Sequence, residues 1–310
     1  MQNKVTVAAV QVDTKLGDIQ ANLATCKRLA SEALKLGATW IALPEFFSTG
    51  VAWDPALVKS IEDEAGHAAT FLRTFSRQHS VVLGGSFLCR VPEGGVRNRY
   101  LCFHNGHLIG KHDKDYATMW ENAFYQGGEP QDTGELGLVN GTRIGAAVCW
   151  EFLRTATSRR LQHKVDVLMG GSHWWSIPGH WPSWLRHRME SYNNHNALAT
   201  VQETARLIGA PVIHASHCHN MSCPMPGLPL KYTGQLEGHA AIIDARGKVL
   251  ASRHYQDGEG IVVADITLGA INTNRVVPEK FWLRRRGLVP ALSWHYHGFL
   301  GRRWYAKNVR

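Results

Sequence analysis

The chain has 310 residues, 44% of them hydrophobic and 19% charged, which excludes a disordered chain, and no run approaches the ~18 apolar residues of a membrane span. Its net charge is +9, but nine Lys or Arg and one acid, Glu279, fall between Arg275 and Arg310, so the body is nearly neutral and a surface devoted to nucleic acid is not expected. The opening MQNKVTVAAVQVD lacks the apolar block and cleavage site of a secretory signal, so a cytoplasmic protein with its six cysteines as thiols is expected.

In chain order, residues 4–12 alternate enough to form a strand. Residues 18–36 place Ile19, Leu23, Cys26, Ala30, Ala33 and Leu34 at helical spacing, and Gly37 stops the helix. TWIALPE reads as a buried strand ending at Pro44-Glu45. A helix over about 64–78 leads to the strand VVLGGSF. Asn105-Gly106 and Asn140-Gly141 each sit between apolar runs and predict tight hairpin turns. A helix at about 155–163, the strand VDVLMGG, a long helical region from about 181 to 208 and the strand PVIHAS follow. Residues 218–232 hold three prolines without a period and read as a long surface loop. A hairpin around Arg246-Gly247 and the closing strand GIVVADI complete the pattern. Helices alternate with strands early and hairpins dominate later, an α/β mixture with antiparallel pairing.

Three chemically distinct residues each end an apolar strand: Glu45 after WIALP, Lys114 after HLIGKHD, and Cys149 after IGAAV. Rigid strand ends that meet an open face are where reactive side chains are held. Singly, each has a plain reading as a helix start, a surface lysine or a small core residue. Together they compose a carboxylate base, an ammonium and a thiol nucleophile.

LPEFFSTG, KHDKDYATMWENAFYQGGEP and GAAVCWE, in this order, resemble the three signature blocks of the carbon–nitrogen hydrolase (nitrilase/amidase) superfamily. VAAVQVD resembles the family's first strand, and YTGQLEGHAAIIDARGKVLASRHYQDGEGIVVADI its late hairpin and closing strand, so the likeness spans about residues 4–267. It implies a four-layer α-β-β-α sandwich over 1–274, followed by a basic, aromatic C-terminal arm over 275–310. It implies Glu45 as general base, Cys149 as nucleophile, Lys114 as the cation near the developing oxyanion, and Glu121 as a second glutamate holding the lysine and substrate. Lys111 competes with Lys114 but lies ten, not seven, residues before Glu121. The backbone N–H of Trp150 is the second expected oxyanion donor. No cofactor and no metal are implied, and a homodimer is expected through residues 172–196.

Two blocks disagree about the substrate. Cys-Trp-Glu resembles true nitrilases, whereas KDYATMWENAFYQGG resembles the amidase and carbamoylase branch. The expected reaction is therefore hydrolysis of a small linear amide through a Cys149 thioester, with a nitrilase as the alternative. An idle binding protein with a basic tail is the second alternative. His173 and Trp174, after the strand VDVLMGG, are expected with Trp150 to line the pocket as an aromatic wall, which suits an apolar acyl group. His214, His217, Cys218, His219 and Cys223 could suggest zinc by composition, but their spacing fits no standard ligand pairing. The rings of the C-terminal arm are expected to pack on this subunit or a neighbour, with RNA or a membrane surface as the other readings.

Overall fold

The computed structural model describes residues 4–285 and 287–310. Residues 1–3 of the opening stretch and Arg286 of the basic tail lie outside the described residues. In chain order the strands and helices are β1 (Lys4–Val12), α1 (Ile19–Lys35), β2 (Trp40–Ala42), β3 (Glu62–Asp63), α2 (His67–His79), β4 (Val82–Arg90), β5 (Val96–His104) and β6 (His107–Asp113). Then come β7 (Glu135–Val139), β8 (Thr142–Val148), α3 (Thr155–Leu161), β9 (Val167–Gly171), α4 (Ser183–Ile208), β10 (Val212–His217), β11 (Asn220–Pro224) and β12 (Lys231–Gln235). β13 (Gly238–Ile243), β14 (Val249–His254), β15 (Gly260–Thr267) and α5 (Leu288–Asn308) finish the chain.

The strands run in the order β6-β5-β4-β2-β1-β10-β9-β8-β7, with β15 beside β1 and β13-β14 beside β10. β1 and β10 pair only at their ends, Gln11 with Ser216 and Val12 with His217. The path therefore divides there into two sheets, and the side chains show how these stack. In β1, Val7 and Ala9 join Ala146, Val148, Met169, Ile213 and Ala215 of the second sheet in one buried cluster. Ala8, Val10 and Val12 face the other way, onto Cys26, Leu29 and Ala33 of α1 and Leu72 and Phe75 of α2. Ala147, Leu168 and Val212 turn outward onto Leu161 of α3 and Val201, Ala205 and Ile208 of α4. Three apolar layers separate four layers of backbone: an α-β-β-α sandwich. Strands covered on both faces read as near-continuous apolar runs, as β1 and β9 do.

This architecture gathers the carboxyl ends of parallel β2, β8, β9 and β10 at one end of the sandwich, where open α/β sheets place ligands. Gly171, last in β9, is required there. A Cβ would stand 2.7 Å from the Cα of Pro44, so a side chain would push the two sheets apart beside Glu45.

Residues 218–232 are not a plain loop. β11 and β12 form an antiparallel hairpin, pairing Asn220 with Gln235 through Pro224 with Lys231, and Met221, Cys223 and Tyr232 bury one face against Ala52 and Leu236. The prolines at 226 and 229 lie in the connection, which leaves the ladder intact. The C-terminal segment is also ordered: α5 packs across the 3-10 turn Met119–Ala123. No helix among the described residues is long and apolar enough to cross a membrane.

Candidate active site

Cys149 follows the last residue of β8 and opens a 3-10 turn, Cys149–Leu153, with φ +53°. A non-glycine residue pays about 1–2 kcal/mol in that left-handed region. Phe46, next to Glu45, and Met119, two residues before Glu121, share it at φ +52°. Backbone strain thus sits beside three of the four sequence-predicted groups, as it often does at functional sites.

Lys114 follows β6 by one residue and is 1% exposed. Its three ammonium hydrogens are all used: on Glu45 Oε1 at 2.8 Å, Thr118 Oγ1 at 3.0 Å and Glu121 Oε2 at 3.0 Å. Burial alone would lower its pKa, but Glu121 and Glu45 hold it well above the ordinary lysine value, so it is a cation. Lys111 lies instead on the exposed side of β6, 3.4 Å from Glu64.

Glu45 is 1% exposed. Its Oε1 accepts from Lys114 and from the Asn98 amide at 2.8 Å, and its Oε2 accepts the backbone N–H of His173 at 2.9 Å. Burial raises its pKa against the pull of Lys114. Oε1 accepts two hydrogen bonds and Oε2 one, so Oε2 keeps capacity for a further donor, and the carboxyl group interacts with the Cys149 side chain. The Cys149 thiol is buried; burial and then the neighbouring Glu45 carboxylate push it well above its ordinary value, so it rests protonated. Glu121 Oε2 also accepts the Tyr125 hydroxyl at 2.6 Å and the Thr118 N–H at 3.2 Å.

A cavity of about 190 Å³ opens on Cys149 and Glu121. Trp150, His173 and Trp174 line it, and so do Trp120, Trp175 and Tyr232. Trp174 and Trp175 both reach it, although neighbours on an extended segment alternate. Asn193 of α4 places the pair, accepting the Trp174 indole N–H at 3.0 Å and donating to the Trp175 carbonyl at 2.9 Å. Among the described residues no Lys or Arg lines the cavity.

The histidine cluster is split. His217 Nε2–H donates to the Glu45 carbonyl at 2.6 Å, and His214 pairs with Ser172 at 2.8 Å. Burial holds His217 down to about 3 and His219 to about 4, and keeps His173 well below the ordinary value, so these rings are neutral. Among the described residues no group of three or more His, Cys, Asp or Glu is arranged to hold a metal ion.

Glu151, the acid of Cys-Trp-Glu, points away from the cavity. Its Oε2 accepts the Val148 N–H and faces His112 Nε2, both at 2.8 Å; its Oε1 accepts the Asp115 N–H at 3.1 Å and Arg160 at 3.3 Å. It ties the turn after β8 to β6 from behind. Sequence reasoning passed over Asn98, Thr118, Tyr125 and Asn193. Asn98 left one signal, a polar residue inside the strand RNRYLCF.

Residues 6–275 match the carbon-nitrogen hydrolase family, and the chain belongs to it. It is therefore an enzyme acting on carbon–nitrogen bonds, of amidase or nitrilase type. It is 25% identical to 2-oxoglutaramate amidase of Bacillus subtilis (strain 168), over 86% of this chain and 92% of the relative. It is 22% identical to an aliphatic nitrilase of Rhodococcus rhodochrous, over 87% and 76% respectively. The crystal structure of a carbon-nitrogen hydrolase from Helicobacter pylori G27 superposes with a TM-score of 0.72 at 17% identity, over 86% of this chain and 90% of that one, which establishes the shared fold.

Proposed function

We propose that this enzyme hydrolyses a small, uncharged amide through a thioester on Cys149. The observation that carries the reading is the one cation between two carboxylates beside a protonated thiol. Sγ attacks the amide carbon while its proton passes to Glu45 Oε2, the carboxylate oxygen with capacity left. The developing oxyanion draws a hydrogen bond from Lys114, displacing Thr118 Oγ1, the neutral and hence weakest of its three acceptors. The Trp150 N–H, next in the chain, is the second donor of this proposal. One such donor is worth about 3–4 kcal/mol. Glu45 returns the proton to the leaving nitrogen, the C–N bond breaks and ammonia or an amine departs. Water then attacks the thioester, Glu45 takes its proton, and Sγ regains one as the acid leaves.

Amide is favoured over nitrile because Glu121 of the amidase-like block lines the cavity and holds Lys114 behind it, whereas Glu151 of the nitrilase-like block does not line it. An acid-bearing substrate such as 2-oxoglutaramate is disfavoured, since no lining Lys or Arg among the described residues would pair with its carboxylate. The test is kcat/KM on an amide and a nitrile of the same acyl group. The amide is expected to lead by at least ~10-fold, about 1.4 kcal/mol. A lead for the nitrile would replace the amidase reading with a nitrilase. A homodimer through residues 172–196 belongs to the same reading, supported by Trp184, 74% exposed on α4. Sedimentation of a monomer at all concentrations would remove that part.

A further inference from the structure

The segment beyond residue 275 lies outside the matched family region, yet its helix α5 reaches the catalytic cavity. Its second half is anchored. Gly301 packs so closely on the turn bearing Glu121 that a Cβ would meet Ala123 N and Asn122 Cβ at 2.9 Å. Tyr305 Oη accepts the Val96 N–H at 2.9 Å, and Trp304 packs on Trp53 and Phe124. Its first half presents Pro290, Ser293 and His297, spaced along one face, to the cavity. Trp294 stacks on Trp150, ring centroids 5.4 Å apart and 11° from parallel, and Trp282 closes the edge of the same indole at 87°.

One polar atom in this wall is unsatisfied. His297 is 8% exposed, and its Nε2 has no hydrogen-bond partner among the described residues. Burial lowers the pKa of its imidazole, so the ring is neutral and can donate from one nitrogen and accept at the other. Leaving such an atom unpaired costs about 1–3 kcal/mol, which a polar atom on a bound ligand recovers. Size narrows the ligand further. An apolar cavity of about 150 Å³ takes benzene, so a cavity of about 190 Å³ takes one ring with a carboxamide.

We propose that α5 is the acyl-side wall of the site and selects an uncharged aromatic amide whose ring carries a hydrogen-bonding atom for His297. This rests on the amidase reading. The experiment measures kcat/KM for benzamide, ring-hydroxylated benzamides and isobutyramide. In Trp294→Ala the benzamide-to-isobutyramide ratio is expected to fall at least ~10-fold, mainly through KM. In His297→Leu the preferred hydroxybenzamide is expected to lose its advantage over benzamide. Ratios within ~2-fold of wild type in both variants would overturn the proposal. If Trp294→Ala does not fold, Trp294→Leu reads the same ratio. Should the wild-type enzyme hydrolyse no amide, the amidase reading fails separately. Equilibrium dialysis of benzamide then decides this proposal, which requires weaker binding in Trp294→Leu and is overturned by equal binding.

Discussion

Beside Cys149, Lys114 stands between the carboxylates of Glu45 and Glu121, the latter lining the cavity. Away from the cavity, Glu151 stands between His112 and Arg160, with Asp132 on the other nitrogen of His112 and Asp115 bridging Arg160 and Arg154. The first set is buried and the second buried or half-buried, and they differ in balance. The first sets one cation against two carboxylates, so a carboxylate oxygen keeps capacity for a proton. The second sets His112, Arg154 and Arg160 against Glu151, Asp115 and Asp132, and its charges cancel. Burial, Glu151 and Asp132 together settle His112 at about 10, burial opposing the two acids, so it is charged at neutral pH. A short-changed network can move protons; a complete one holds the strand end still. That contrast supports the proposal that the first set carries the chemistry and the second positions it.

The largest expected effect breaks the reactive set. Cys149→Ala should lose at least ~10³ in turnover, as removal of a nucleophile does, with thermal stability little changed. Cys26→Ala, on the buried face of α1, should keep most activity; steady-state rates on one amide compare the two. Next, Glu45→Gln should lower kcat by about 10²–10⁴, the range for general acid–base catalysis, and single-turnover kinetics should place the loss in the chemical step.

Glu151→Gln sharpens the comparison from the other side. It leaves His112 and Arg160 without their shared counter-charge, and breaking a buried pair costs about 3–5 kcal/mol. Denaturant unfolding should register the loss, while the pH–rate profile of the folded fraction keeps its shape. A changed profile would move Glu151 into the proton path.

The smallest expected effect is in pH dependence. An unfolded histidine titrates near ~6.5, and His112 in the fold near about 10. Its contribution is therefore complete below the unfolded value and drains away as pH rises through the folded one. The stability difference between wild type and Glu151→Gln should shrink across that window. His217 and His219 behave oppositely. Held neutral down to about 3 and 4, they favour the fold above ~6.5 and cost stability as acid protonates the unfolded chain. Melting temperature against pH reads both flanks.

Local signals carried much of this architecture. Asn105-Gly106 and Asn140-Gly141 both adopt the left-handed backbone a tight hairpin needs, and the apolar runs lie in strands covered on both faces. The β11-β12 hairpin was hidden because its alternation spans only Met221, Cys223 and Tyr232, with prolines between. Helix α5 was hidden because Gly298, Gly301 and Pro290 argue against a helix locally; its stability comes from the turn it packs on. Pro290 sits in the first turn, where no intrahelical N–H is lost. In the site, the ends of strands announced Glu45, Lys114 and Cys149. Glu151 looked like a substrate signal because sequence shows which residues follow the cysteine and not which way a 3-10 turn sends them. Asn193 and His297 come from distant helices, and no spacing rule joins them to residue 149.

The central claim is covalent: the acyl group passes through a thioester on Cys149 with Glu45 moving the proton. Acid-quenching the enzyme during turnover of a slow amide and analysing the intact protein and its peptides by mass spectrometry tests it directly. The account predicts an added acyl mass confined to the peptide containing Cys149, absent from Cys149→Ala and removed by hydroxylamine. Sustained turnover by Cys149→Ala, or an acyl group on another cysteine, would contradict it.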